Sequence, residues 1–228
     1  MSGILYGVGV GPGDPELMTV KAWRLISTAH TIAYLCANGG ASTARDIARP
    51  FIGDNVVEIP IDMPMKVERE PAQRAYDEGA ERIATHLTSG ENVVMLCEGD
   101  PFFYGSFMYI FERLATRFQT IVVPGVTSIT AAAAAIGQPL VARDEALKVL
   151  PATMDEAQLR VELTNCTSAA IVKVGRHFGK VKLILKDLAL NAKAIQNATH
   201  EHQSISNVAD IEGETLPYFT TIIMRRSS

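Results

Sequence analysis

The sequence predicts an α/β protein of two domains, residues 1–138 around a parallel sheet and residues 139–228 around a mixed one. Three observations carry this. Short apolar runs alternate with helical stripes five times before Gly137 and Pro139, the pattern of a parallel sheet with helices on both faces. Beyond Pro139, strand-like runs outnumber helical ones. A glycine-rich turn, Gly7 to Pro15 (GVGVGPGDP), follows the first apolar run directly. Ligands of parallel sheets bind in loops at that end of the strands.

In order along the first half, Ile4–Val8 reads as a buried strand and Thr19–Ala29 as a helix, with Val20, Trp23, Leu25, Ile26 and Ala29 at helical spacing. Thr31–Leu35 is a second strand. Ser42 is placed to cap a helix through Ala48. Val56–Ile59 is a third strand, after which Pro60 and Pro64 are expected to break regular structure. Residues 71–87 form an amphipathic helix with alanines, Tyr76, Ile83 and Leu87 on one stripe. Asn92–Cys97 is a strand, Glu98–Pro101 a turn and Tyr104–Arg117 an aromatic-rich helix. Thr120–Val123 is a fifth strand, and a helix runs from near Thr127 to Ile136.

In the second half, strands are expected at Lys148–Leu150, Ala169–Val174 and Phe219–Met224, with weaker ones near Ala194 and Ile205. Asp155-x-x-Gln158 resembles a capping box opening a helix to Leu163. Val181–Leu188 is a second helix.

Composition removes several function classes. The chain has 228 residues, 47% of them hydrophobic, and a net charge of −4. That is enough apolar material for sizeable cores, and there is no basic stripe of the kind nucleic acid requires. Cys36, Cys97 and Cys166 are far apart and odd in number, which suits small buried hydrophobes in a reducing compartment rather than a disulfide framework or a metal site. No apolar run is long enough to span a membrane, and no signal-like leader opens the chain. A cytoplasmic protein is expected.

Three loops carry the chemistry. The first fails as a dinucleotide fingerprint: no G-x-G-x-x-G is present, Pro12 and Pro15 delay the helix, and the second strand ends in Leu35–Cys36 without a ribose-binding carboxylate. It also lacks the GK[ST] of a phosphate loop. The second, Cys97–Gly105 (CEGDPFFYG), repeats the Gly-Asp-Pro triplet at another strand end. Gly99 permits close backbone approach. Asp100 can accept from a ligand or cap the following helix. Phe102, Phe103 and Tyr104 form either an apolar wall or part of the core. The third, Val123–Ser128 (VPGVTS), puts Thr127 and Ser128 at a helix start, as caps or as polar ligand contacts. All three belong on one edge of one sheet.

GVGVGPGDPELMT, GDPFFYG and PGVTS, in this order, resemble the tetrapyrrole (corrin/porphyrin) methyltransferase family. The resemblance implies S-adenosylmethionine as cofactor and two α/β domains with the cofactor in the cleft between them. IDMPM with REPAQRAYDEGAERIATHL, CEGDPFFYGSFMY, VKVGRHFGKV and LPYFTTIIM are most similar to the precorrin-2 methyltransferases acting at carbon 20 of the macrocycle, in cobalamin biosynthesis.

By that resemblance, Pro12, Gly99, Asp100, Phe103, Thr127 and Ser128 contact the cofactor, joined from the second domain by Val174, Pro217 and Tyr218. Gly11 and Tyr104 are expected beside the flat substrate. Lys66, Arg69, Arg74 and Arg176 are expected to meet its carboxylates, with Arg143 and His177 as further candidates. Glu98, Asp100 and Tyr104 are the nearest titratable groups for proton removal after methyl transfer, alongside water and the macrocycle's own nitrogens. No metal is implied, and a homodimer is. NATHEHQSI (197–205) matches the family poorly, and His200 and His202 are given no role. Another ring carbon, cobalt-loaded substrate, a nicotinamide-dependent dehydrogenase and a non-catalytic tetrapyrrole binder stand as alternatives.

Overall fold

The computed structural model describes residues 1–37, 39–64 and 69–226, apart from the side chain of Arg69. The chain divides into two compact units, Met1–Thr127 and Ser128–Ser228.

The first unit holds β1 (Leu5–Gly9), α1 (Val20–Ser27), β2 (Thr31–Ala37), α2 (Thr43–Ala48), β3 (Val57–Met63), α3 (Arg69–Thr88), β4 (Val93–Cys97), α4 (Phe107–Leu114) and β5 (Thr120–Val123). Its five strands are all parallel, in the order β3-β2-β4-β1-β5. Both sheet faces are covered, which is why the strands read as near-continuous apolar runs. On one face Leu5, Ile59, Ile61, Met95 and Cys97 pack with Tyr76, Ile83 and Leu87 of α3 and Phe107, Ile110 and Leu114 of α4. On the other, Val8, Ile32, Tyr34, Val94 and Leu96 pack with Ala22 and Ile26 of α1 and Ala44, Ile47 and Ala48 of α2. Gly7 sits where a Cβ would lie 2.3 Å from the Phe107 ring, so its lack of a side chain lets α4 close on β1.

The second unit holds α5 (Ser128–Ala135), β6 (Leu147–Pro151), α6 (Glu156–Thr164), β7 (Ser168–Val172), α7 (Phe178–Asp187), β8 (Ala192–Gln196), β9 (Ser204–Asn207) and β10 (Thr220–Arg225). The sheet order is β6-β7-β10-β8-β9. Only β6 and β7 run parallel; the other pairings are antiparallel. α6 and α7 cover one face through Leu159, Leu163, Phe178, Val181 and Ile184.

Three expectations are corrected. The first unit ends at Thr127 and not at 138, because α5 shares a core with Ala170, Val172, Ile195 and Ile223 of the second sheet. Pro60 does not end β3; it lies within it, opposite Tyr34. β3 is an edge strand, so the missing N–H of Pro60 interrupts no second ladder. α4 begins at Phe107 and not at Tyr104, since residues 101–105 are spent on a tight turn.

Candidate functional site

Pro15 and Thr19 explain how the first loop feeds α1. Asp14 accepts the Glu16 amide at 2.8 Å and starts one 3-10 turn, Pro15–Leu17. The Thr19 hydroxyl then accepts the Ala22 amide and caps α1. The chain between β1 and α1 is thereby held in place with Gly11 and Pro12 at its turn.

The three glycine loops meet at the carboxyl ends of β1, β4 and β5. Val10 donates to the Cys97 carbonyl at 2.9 Å, and Gly99 donates to the Gly11 carbonyl at 2.8 Å. Gly11 and Gly99 form an isolated antiparallel bridge. A Cβ on Gly125 would lie 2.0 Å from the Gly99 oxygen, and one on Gly9 would lie 2.5 Å from the same oxygen. The three backbones are therefore in direct contact, a packing that only glycine permits. Gly99 itself has φ +62°.

Asp100 fastens this junction. One carboxylate oxygen accepts the Phe102 amide at 2.9 Å and the other accepts the Gly125 amide at 3.0 Å. The sequence offered ligand contact or helix capping for Asp100. The structure does not make it a helix cap, since α4 starts only at Phe107 after Ser106; it closes the turn at Phe102 and ties the second loop to the third. Glu98 accepts the Ala44 amide at 3.3 Å, within the first turn of α2, where Ser42 accepts the Arg45 amide. Its carboxylate thus faces the positive end of a short helix.

Phe102, Phe103 and Tyr104 are all exposed. Phe102 packs edge-on to Phe111 at 5.0 Å and Phe103 edge-on to Tyr104 at 5.3 Å. Tyr104 has φ +55°, a conformation unfavourable to a side-chain-bearing residue. It stands as an aromatic wall and not as core. The Cys97 thiol is buried, and burial pushes it well above its ordinary value. It is no nucleophile.

Of the expected carboxylate-binding cations in this unit, Lys66 lies outside the described residues, as does the side chain of Arg69. Arg74 pairs with Glu70 at 2.6 Å on an exposed face of α3. A cavity of about 630 Å³ lined by His30, Thr31, Asn55, Val57, Glu91 and Asn92 opens at the amino ends of β2, β3 and β4. It lies at the opposite edge of the sheet from the glycine loops.

In the second unit, Val174 is fully buried two residues beyond β7. The Leu216 amide donates to the Gly175 carbonyl at 3.1 Å, and the Gly179 amide to the Glu214 carbonyl at 3.0 Å. These bonds bring the segments of Val174 and of Pro217–Tyr218 together. The Pro217 carbonyl accepts the Thr220 hydroxyl at 2.7 Å, and Tyr218 stays exposed against Phe219. Ser128, the first residue of α5, is exposed and lies 3.5 Å from the Thr221 hydroxyl. Arg176 is exposed and contacts His177 at 3.4 Å; burial and the nearby Lys180 and Arg176 hold that imidazole below its ordinary pKa. Arg143, at φ +51°, is exposed on the segment between α5 and β6. Sequence reasoning missed Lys173, which has φ +57° and reaches the Tyr218 hydroxyl at 3.2 Å.

Residues 4–211 match the model of the family described as Tetrapyrrole (Corrin/Porphyrin) Methylases. The chain is 41% identical over 232 residues to the cobalamin biosynthesis protein CobIJ of Mycobacterium tuberculosis, covering 97% of this chain and 46% of that protein. It thus spans about half the length of that relative. It is 36% identical over 238 residues to the precorrin-2 C(20)-methyltransferase of a Sinorhizobium species, covering 98% of this chain and 97% of that enzyme. The fold is similar to that of the methyltransferase CobJ (TM-score 0.71, 22% identity, 100% of this chain and 98% of that one). It also resembles the uroporphyrin-III C-methyl transferase of Thermus thermophilus complexed with S-adenosylhomocysteine (TM-score 0.71, 21% identity, 98% and 92% covered). On its matched family model and its relatives of 36–41% identity, the chain belongs to the tetrapyrrole (corrin/porphyrin) methylase family.

Proposed function

We propose that this chain is an S-adenosylmethionine-dependent methyltransferase that methylates precorrin-2 at carbon 20 in cobalamin biosynthesis. The observation that carries the reading is the 36% identity, end to end in both chains, with an enzyme of that name. The junction of Gly9, Gly99 and Gly125 at one sheet edge supports it. The residues there suit the cofactor. A Cβ on Gly99 would meet one atom, the Val126 oxygen, at ordinary contact distance (3.8 Å), and Gly99 is left for its backbone to approach a ligand. Pro12, Phe103 and Tyr104 offer apolar surface beside it.

When bound, S-adenosylmethionine supplies an electrophilic methyl group on a sulfonium, and transfer needs the attacking carbon, methyl and sulfur in line. The protein's task is alignment. Pro12, Gly99, Phe103, Thr127 and Ser128 would hold the cofactor from the glycine loops; Pro217 and Tyr218 would do so from the second unit, and not Val174, which is fully buried in the core. Gly11, Tyr104 and Arg176 would contact the tetrapyrrole. We assign Asp100 and Glu98 to holding the loops, since each carboxylate already accepts backbone amides. The proton that leaves carbon 20 then goes to Tyr104, water or a macrocycle nitrogen. The reading also carries a cytoplasmic location and a homodimer. Among the described residues no helix is long and apolar enough to cross a membrane.

The test is incubation of the purified protein with precorrin-2 and S-adenosylmethionine, followed by mass spectrometry. Gain of one methyl mass supports the reading, and no gain sinks it. The cobalt-precorrin-2 C(20)-methyltransferase of Salmonella typhimurium is 28% identical over 99% of this chain, so cobalt-loaded substrate is the second reading. Parallel assays with metal-free and cobalt-loaded precorrin-2 separate the two; the higher identity to the enzyme named for precorrin-2 favours the metal-free form.

A further inference from the structure

We infer that Lys173 is an anion-recognising residue whose ammonium, held by the hydroxyl of the exposed Tyr218, receives a carboxylate of a bound ligand. The inference rests on the function proposed above for the kind of ligand, and on the second unit alone for its geometry. Lys173 follows β7 directly and has φ +57°. A lysine adopts that conformation at a cost that glycine would not bear. Held so, its Nζ lies 3.2 Å from the Tyr218 hydroxyl and 5.4 Å from the ring centroid. Tyr218 is 64% exposed, so the ammonium at its hydroxyl is open to a ligand.

The surroundings favour an anion. Lys173, Arg176, His177 and Lys180 fall within eight residues of sequence, against which one carboxylate packs, that of Glu214 at Gly179. Among the described residues no ion pair involves Lys173, whereas Lys148, Arg45, Arg113, Arg117, Arg160 and Arg225 each have a carboxylate partner. Backbone bonds from Leu216 to Gly175 and from Gly179 to the Glu214 carbonyl pin the two segments that carry the pair. A strained backbone and a cation hydrogen-bonded to the hydroxyl of an exposed tyrosine together mark a position kept for recognition. Both expected ligands bear carboxylates: one on the amino-acid part of the cofactor, several on the rim of the tetrapyrrole.

The experiment uses the full chain and two variants, Lys173→Met and Lys173→Gly. S-adenosylhomocysteine is titrated by calorimetry, KM for precorrin-2 is measured at saturating cofactor, and thermal midpoints are recorded. A carboxylate held by Lys173 predicts a loss of about tenfold in one of the two affinities in both variants, the size of one charge-assisted hydrogen bond. A weaker S-adenosylhomocysteine Kd assigns the carboxylate to the cofactor. An unchanged Kd with a raised KM assigns it to the tetrapyrrole. Lys173→Gly should raise the thermal midpoint while losing that affinity, which a merely structural lysine would not do. Both affinities staying within twofold of the parent chain would overturn the inference. A parent chain that binds S-adenosylhomocysteine yet methylates no tetrapyrrole would instead count against the proposed function, with the calorimetric arm still readable.

Discussion

Gly125 has no room for a side chain, and the reason lies 26 residues away. Its Cβ would lie 2.0 Å from the Gly99 oxygen, which is backbone and cannot swing aside. Gly125→Ala must therefore part the second and third loops, and we predict a loss above about 3 kcal/mol in urea denaturation. Gly213→Ala provides the contrast. It has φ +88° with no heavy atom near the added Cβ, so only backbone strain of about 1–2 kcal/mol is expected. Asp100 binds the same junction with both oxygens. Asp100→Asn keeps the shape but leaves one amide without an acceptor. The expected loss is about 1–2 kcal/mol of stability, with weaker S-adenosylhomocysteine binding by calorimetry. Equal binding in the variant would show that loop order at Asp100 does not matter to the site. The Gly-Asp-Pro triplet was plain in the sequence, but the helix cap expected of Asp100 is a turn bond to Phe102 instead. The Gly125 partner was not, because nothing local signals a bond across 25 positions.

At the scale of elements, α2 is the piece whose position depends most on side chains. It is six residues long, too short to be stable alone. Arg45 holds Glu58 of β3 with two bonds at 2.6 and 2.8 Å, and Tyr34 of β2 donates to the same carboxylate at 2.6 Å. Burial and then the Glu58 carboxylate push the Tyr34 hydroxyl up to about 12. A group with a raised folded pKa stabilises below its unfolded pKa and loses that stability as pH rises through the folded value. Wild-type stability should therefore fall between about pH 10 and pH 12 more steeply than that of Tyr34→Phe. Urea midpoints across that range check it, and parallel curves would contradict it. Glu58 is shifted the other way, chiefly by the Arg45 bonds. Its contribution is lost in acid, as pH falls through its depressed folded value.

Elements were legible where local chemistry decides them. Ser42, Thr19 and Asp155 cap the helices whose starts they marked. They were illegible where neighbours decide. Pro60 is tolerated because β3 is an edge strand, a property of the sheet and not of the segment. α4 starts late because Tyr104 takes φ +55° and Gly105 could not carry a Cβ within 2.6 Å of the Asp100 and Pro101 oxygens.

For the molecule as a whole, the sequence conveyed two α/β units and the parallel-then-mixed character of their sheets. It misplaced their boundary, since the alanine-rich α5 is apolar nearly all round and its pattern does not say which sheet it covers. The glycine loops were legible as a family signature, and the fold puts them at one sheet edge. The second-unit residues proposed for cofactor and substrate were legible only through resemblance; the Lys173–Tyr218 contact had no motif to announce it. The claim at the centre is methyl transfer to one carbon of one macrocycle, and the most direct test is positional. The purified chain is incubated with precorrin-2 and S-adenosylmethionine carrying a 13C methyl, and the product is read by NMR. A single labelled methyl, on carbon 20, is the expected result. A label on any other ring carbon, or an unlabelled macrocycle from a protein that binds S-adenosylhomocysteine, would contradict it.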